Sequence, residues 1–354
     1  MPWGALGQSG DLLRRVSRSF YLTLRVLPGA IRPQIGCAYL LARATDTIAD
    51  TRLVSITRRR SALREMRAAI WSAAEGRRTD VPDFGELAEA QEGPASQGSS
   101  GERLLLETAG EVLCALAALD AADRRLIHDL LEVITRGQEQ DLARFGAAGA
   151  GRIVALDTEK ELEEYTYCVA GCVGEFWTRM CRAHLFPREE LDDTFLLSSG
   201  IRFGKGLQLV NVLRDLPKDL RQGRCYVPQA RMAEHGLDAP ALLDAEAMDR
   251  FRPLYEAYLQ EAEELLAAGW AYTNTLPRGQ VRVRLACAWP VLIGVKTLAR
   301  LRAGNVLDDR RRIKISRGEI HRLIVRSVAC YPSQRAWGRL FAQAAKDSRR
   351  DIRR

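Results

Sequence analysis

Apolar residues along this chain recur at steps of three and four, and almost nowhere alternate singly with polar ones. Leu13, Val16, Phe20, Leu24 and Leu27 follow that spacing, as do Leu113, Leu116 and Leu119, and later Leu254, Tyr258, Glu261 and Leu265 with apolar neighbours. Such a period lines up side chains on one stripe of a helix. With period-two segments nearly absent, the predicted fold class is all-α. Arg224–Val227 and Arg312–Ile315 are candidates for extended chain, but too short to make a sheet.

Breakers mark the helix ends. Pro28 and Gly29 close the first helix, and Pro33 stands where a second begins. The stretch Gly76–Glu102, rich in Gly, Ser, Pro and acidic residues, is predicted to be a mobile surface loop between helices. No repeat of solenoid period is present. The chain has 354 residues, 47% of them hydrophobic, which is ample for a sizeable core. One domain over 1–354 is expected, with a basic tail from about 346.

Apolar runs such as Leu104–Leu106 and Val291–Val295 are far too short to cross a bilayer, and no signal-peptide pattern opens the chain. The expected location is cytoplasmic, at most peripheral at a membrane. Eight cysteines lack paired spacing, so reduced thiols are expected. Cys168, Cys172, Cys181 and His184 lie close in sequence, but no CxxC is present and the surroundings (VAGCVGEFW) are apolar. They are read as core residues rather than a metal set. The formal charge of +8 suits nucleic acid, an anionic membrane or a polyphosphate substrate alike. The positive residues are dispersed, and no nucleic-acid motif accompanies them.

Two segments carry chemistry. In IRPQIGCAYLLARATDTIADT, Tyr39, Arg43, Asp46 and Asp50 fall at offsets of four, three and four, on one stripe of an otherwise apolar helix. In GKGLQLVNVLRDLPKDLRQGRCYVP, Gln208, Asn211, Asp215 and Asp219 share a second stripe. Pro217 lies between these aspartates and is predicted to bend or end the helix there. Paired carboxylates beside an apolar core are costly unless a positive charge meets them. Mg²⁺, or Mn²⁺ in its place, fits hard oxygen donors and takes one or two carboxylates plus substrate phosphates. Two such clusters facing one another across a cavity would hold diphosphates and stabilise their departure. Arg43, Arg214 and Arg224 would complete the charge balance.

The segments SRSFYLTLRVLP, YLLARATDTIADT, YTYCVAGCVGEFW and LQLVNVLRDLPKDLRQGRCYVP resemble, in order, blocks of the squalene and phytoene synthases, and RRIKISRGE resembles a later squalene-synthase block. The resemblance implies an all-α, single-domain isoprenoid-synthase fold around a central cavity. It implies that Asp46 and Asp50 form the first metal-binding aspartate motif, and Asp215 and Asp219 the second. Arg18, Ser19 and Phe20 match the block closing over diphosphate. Arg43, Arg214 and Arg224 match diphosphate contacts, and Gln208 and Asn211 match polar residues near the metal. Tyr39 and Tyr226 fall in matched blocks lining the substrate. Eukaryotic squalene synthases carry a tyrosine directly before the VAG triplet. Cys168 stands there in this chain, which leaves Tyr165 and Tyr167, just upstream, as candidate proton acceptors.

The implied reaction is head-to-head condensation of two farnesyl diphosphates through presqualene diphosphate to squalene, with NADPH as reductant. Lys314 and Arg317 resemble the basic block linked to NADPH, with Ser316 where an arginine can stand. Aromatic faces such as Phe20, Tyr39, Tyr165 and Tyr167 would each stabilise an allylic cation by about 0.5–2 kcal/mol. Phytoene, dehydrosqualene or hydroxysqualene formation without the reductive step is the alternative. A non-catalytic assembly factor of the same fold has no need of intact aspartate pairs, and a nucleic-acid binder would show steeply salt-dependent affinity. Oligomeric state and substrate chain length are not set by the sequence.

Overall fold

A computed structural model describes residues 12, 16, 24–77, 81–91, 100–146, 148–149, 151–308, 310 and 313–351, with side chains up to 346. By internal contacts the chain divides into two compact units. One comprises Met1–Gly146 with Phe176–Pro187, the other Ala147–Glu175 with Arg188–Arg354.

The first unit is helical among its described residues. It contains α1 (Arg32–Asp50), α2 (Ile56–Ala74), α3 (Gly85–Glu89), α4 (Ser100–Glu107), α5 (Ala109–Ala117) and α6 (Ala121–Phe145). Pro33 stands in the first turn of α1, as the sequence predicts, where its missing N–H costs no helical bond. Ser55 caps α2 by accepting from the Arg58 amide at 3.2 Å. α1 packs on α2, α5 and α6. Leu40, Leu41, Ile48, Leu63, Met66, Leu116 and Ile127 are buried in this unit. Each such side chain contributes about 1.5–3 kcal/mol of transfer free energy. Arg67 of α2 pairs with both Glu132 and Glu139 of α6.

Part of the predicted loop at 76–102 is helical. α3 lies inside it, with Phe84, Leu87 and Ala88 buried, and α4 begins at Ser100. The polar composition concealed an apolar triplet that gains from burial. Residues 78–80 and 92–99 lie outside the described set.

The second unit contains β1 (Val154–Ala155), α7 (Glu159–Thr166) and a π-helical turn at Tyr167–Gly171 that leads into α8 (Cys172–His184). Then come α9 (Asp193–Arg221), β2 (Arg224–Cys225), α10 (Gln229–Ala233), α11 (Met248–Thr275) and α12 (Val281–Ala303). The described chain closes with α13 (Arg317–Cys330), α14 (Gln334–Gly338) and α15 (Leu340–Asp351). The residues of α8 from Phe176 onward belong to the first unit. The stretch read as a basic tail continues α15 through Asp351.

α9 packs along α11 and against the π-helical turn, and α11 packs on α12. Tyr255 and Tyr272 of α11 and Leu213 of α9 are almost fully buried. Glycines permit the closest approach in this unit. A Cβ on Gly174 would lie 1.9 Å from the Gly200 carbonyl oxygen, and one on Gly204 would lie 2.0 Å from that of Ala170. The extended reading at Arg224 is met by a two-residue parallel pair, Val154 with Arg224 and Ala155 with Cys225.

Pro217 neither ends nor interrupts α9, which runs on to Arg221. Proline supplies no N–H to the carbonyl four residues earlier, that of Leu213. The Tyr255 hydroxyl donates to this carbonyl at 3.1 Å. Packing on α11 therefore replaces the helical bond that proline removes. α9 ends at Arg221 with Gln222 as its cap, and Gly223, whose φ of +80° suits glycine, turns the chain into β2.

Candidate active site

The first aspartate stripe is formed as its spacing predicts. On α1 the Arg43 guanidinium donates to the Asp46 carboxylate and also to Glu102 of α4. Burial and the nearby Asp50 push the Asp46 carboxyl up to about 6, against the pull of Arg43. With 43% of its side chain still accessible, solvent screens part of that penalty. Burial would lower the Arg43 pKa, but Asp46 and Glu102 outweigh it and raise it. The Arg43 Nε–H is buried without a partner among the described residues. Tyr39, one turn before Arg43, donates from its hydroxyl to the Val16 carbonyl at 3.4 Å.

Glu102 was not foreseen as a site residue. Its position, within a stretch rich in Gly, Ser and Pro, gave no periodic signal. The only pointer was an acidic residue in the first turn of α4.

The second stripe forms on α9. Asn211 donates from Nδ2 to the Gln208 Oε1 at 3.3 Å, and Gln208 donates from Nε2 to the Tyr165 hydroxyl at 3.0 Å. The Tyr165 ring stacks on Tyr226, with centroids 4.2 Å apart. The polar stripe thus reaches one of the two candidate tyrosines. Arg214 donates to both oxygens of Asp215, at 2.9 and 2.6 Å. This bonding, with the nearby Asp219, raises the Arg214 pKa despite burial.

Tyr167 takes a different direction, donating to Glu175 at 3.4 Å. Burial and Glu175 raise its pKa. Arg224 is carried in β2 directly after Gly223, and Tyr226 follows it in a buried position.

Cys168, Cys172 and Cys181 are buried, as core residues should be. His184 pairs instead with the buried Asp123 at 2.7 Å. Arg18, Ser19 and Phe20 lie outside the described residues. Lys314 and Arg317 are exposed beside the start of α13. Ser316, between them, caps that helix: its hydroxyl accepts from the Glu319 amide, and Glu319 accepts back from the Ser316 amide. Burial would raise the Glu319 pKa, but the Ser316 hydrogen bonds and the charges of Arg300 and Lys296 outweigh it and lower it. Ser316→Ala should therefore cost about 1 kcal/mol of stability, checked by denaturant unfolding at pH 7.

Among the described residues, no group of three or more His, Cys, Asp or Glu side chains is placed to hold a metal by itself. Magnesium does not require such a cage, because it keeps waters and shares phosphate ligands. The donor chemistry fits it. Asp46 and Asp50 are hard oxygen donors whose mutual repulsion a cation would relieve, and the buried Arg43 Nε–H lacks an acceptor that a phosphate oxygen would provide.

The family model described as squalene/phytoene synthase matches residues 13–319. A bifunctional lycopene cyclase/phytoene synthase of Blakeslea trispora is 32% identical over 81% of this chain and 43% of its own length. The squalene synthase of Bos taurus is 26% identical over 63% of this chain and 46% of its own. The chain thus spans less than half the length of these curated relatives. Among solved structures, that of TcSQS with the ligand E5700 covers 99% of this chain and 98% of its own at a TM-score of 0.74 and 21% identity. That likeness shows the helical isoprenoid-synthase fold. With the family model matching residues 13–319, the chain belongs to the squalene/phytoene synthase family.

Proposed function

We propose that this chain condenses two farnesyl diphosphates head to head to presqualene diphosphate and reduces that intermediate to squalene. The observation that carries the reading is the charge arrangement on α1 and α9. Each helix presents an aspartate pair beside an arginine, Arg43 with Asp46 and Arg214 with Asp215. Mg²⁺ held by the Asp46–Asp50 pair, and Mg²⁺ held by the Asp215–Asp219 pair, would each neutralise charge on a diphosphate bound beside it. Arg43 beside the first pair, and Arg214 with Arg224 beside the second, would each bind diphosphate oxygens and so favour cleavage of the allylic C–O bond. Attack by the double bond of the second molecule forms the new carbon–carbon bonds, with loss of one diphosphate and one proton. Tyr165 is the proposed acceptor of that proton, a choice supported by the hydrogen bond that its hydroxyl accepts from Gln208 of the polar stripe on α9. Tyr226 stacks on the Tyr165 ring and limits its rotation.

The second half-reaction would break the remaining C–O bond and release the second diphosphate, and NADPH would supply the hydride that completes it. Lys314 and Arg317 remain available to a cofactor phosphate, whereas Ser316 is committed to its helix cap. A relative named for phytoene synthesis matches at higher identity than the bovine squalene synthase. A second reading therefore keeps the condensation and omits the reduction. No described helix is long and apolar enough to cross a membrane, and peripheral contact through the basic surface belongs to the proposal, as does a cytoplasmic setting.

Labelled farnesyl diphosphate, incubated with and without NADPH and resolved by mass, tests the product. Squalene is expected only when NADPH is supplied. A non-reduced or hydroxylated product in both incubations overturns the reductive reading and favours the second one.

A further inference from the structure

Asp215 and Asp219 stand one helical turn apart, and Pro217 stands between them. A proline here removes the hydrogen bond that would fix this turn, since the Leu213 carbonyl has no amide four residues on to accept from. Such sites ordinarily kink, and a kink here would change the separation of the two carboxylates. Here α9 nonetheless stays helical past Pro217, to Arg221. The group that meets the Leu213 carbonyl is the Tyr255 hydroxyl of α11, at 3.1 Å.

Tyr255 is almost wholly buried, and its ring lies against Phe251 with centroids 5.4 Å apart. Burial raises its pKa, so the hydroxyl remains a proton donor at neutral pH. A buried carbonyl deprived of its donor is costly, and this donor comes from the helix on which α9 packs.

We infer that Tyr255 is a positioning residue, its hydroxyl standing in for the amide that Pro217 lacks and thereby holding Asp215 and Asp219 at the spacing that binds Mg²⁺ and diphosphate together. The inference rests on the proposed role of that aspartate pair. It assigns no chemistry to Tyr255 itself, which acts only through the geometry of α9.

The test is a double-mutant cycle on the full chain. Tyr255→Phe removes only the hydroxyl. Pro217→Ala restores the amide that the Leu213 carbonyl would otherwise use. Wild type, both single variants and the double variant are compared in two ways: the thermal midpoint without ligand, and the Mg²⁺ concentration giving half-saturation in calorimetry at fixed inorganic diphosphate.

Tyr255→Phe alone should lower the midpoint and raise the half-saturating Mg²⁺ about fivefold, as expected for one lost hydrogen bond. In the Pro217→Ala background the same substitution should change half-saturation by less than about twofold. Equal losses in both backgrounds would overturn the inference, because the hydroxyl would then act elsewhere. A midpoint shift without a change in Mg²⁺ dependence would overturn it too, leaving Tyr255 a packing residue. A wild-type chain showing no saturation overturns both this inference and the synthase reading. One that binds Mg²⁺ and diphosphate but forms no prenyl product sinks the synthase reading alone and leaves the cycle readable.

Discussion

Asp46→Asn and Asp215→Asn should each reduce turnover about a hundred- to ten-thousand-fold, equivalent to about 3–5 kcal/mol of lost transition-state stabilisation. Asparagine keeps the shape of the side chain and removes the charge that would hold a cation. The two variants should part company in stability. Asp46 is held up to about 6 by burial and by Asp50. Its ionised form is therefore a liability in the metal-free chain. A raised carboxyl pKa means stability that is full below the unfolded value and lost as pH rises through about 6. At pH 7 that loss is complete, so Asp46→Asn should melt at or above the wild-type temperature in metal-free buffer. Asp215 accepts two hydrogen bonds from Arg214, so Asp215→Asn should melt slightly below it. Steady-state rates and calorimetry on the same preparations check both halves. Retained turnover in either variant would show that the carboxylate is dispensable for the chemistry, whereas unchanged function of both variants in cells would favour a non-catalytic role for the fold.

Gly204→Ala should be among the most damaging conservative substitutions in the second unit. The added methyl would sit 2.0 Å from the Ala170 carbonyl oxygen and 2.6 Å from its carbon. Both are backbone atoms, so no side chain can rotate aside and α9 must move off the π-helical turn. Overpacking of this kind costs about 3 kcal/mol at the upper end of its usual range. For a chain of this length that corresponds to a melting-temperature loss of about 4 °C. Gly174→Ala, which would meet the Gly200 carbonyl oxygen at 1.9 Å, should behave alike. Gly318→Ala is the control. It lies in the first turn of α13 with nothing within 4 Å, and should be neutral or stabilising by about 0.5–1 kcal/mol. Thermal melts of the three variants distinguish a steric cost from a general intolerance of alanine. Activity should fall with stability in Gly204→Ala, because the displaced helix carries Asp215 and Asp219.

The helical class and both aspartate stripes were legible in the sequence because each depends on local periodicity. Arg43 meets Asp46 because both lie on one helix, three residues apart. Glu102 was not legible as a partner of Arg43, since the two are 59 residues apart and meet only through tertiary packing. The course of α9 shows the same limit. Pro217 predicts a bend or an end; α9 does not end there, and the donor that meets the Leu213 carbonyl is Tyr255, 42 residues beyond Leu213. A local rule was overridden by a contact that only the folded unit supplies. Composition misled at 76–102, where polar residues surround the buried Phe84 and Leu87. Between Tyr165 and Tyr167 spacing alone could not choose. The hydrogen bond to Gln208 distinguishes Tyr165, whereas Tyr167 turns to Glu175.

If these carboxylate pairs act through Mg²⁺, diphosphate release from a prenyl substrate should depend on the metal. The direct measurement is inorganic diphosphate liberated from farnesyl diphosphate by the purified chain, first with Mg²⁺, then with excess chelator, then with Mg²⁺ restored. Release is expected to start, stop and resume with the metal. Release that continues undiminished in chelator, or none at all with Mg²⁺ present, would contradict that dependence.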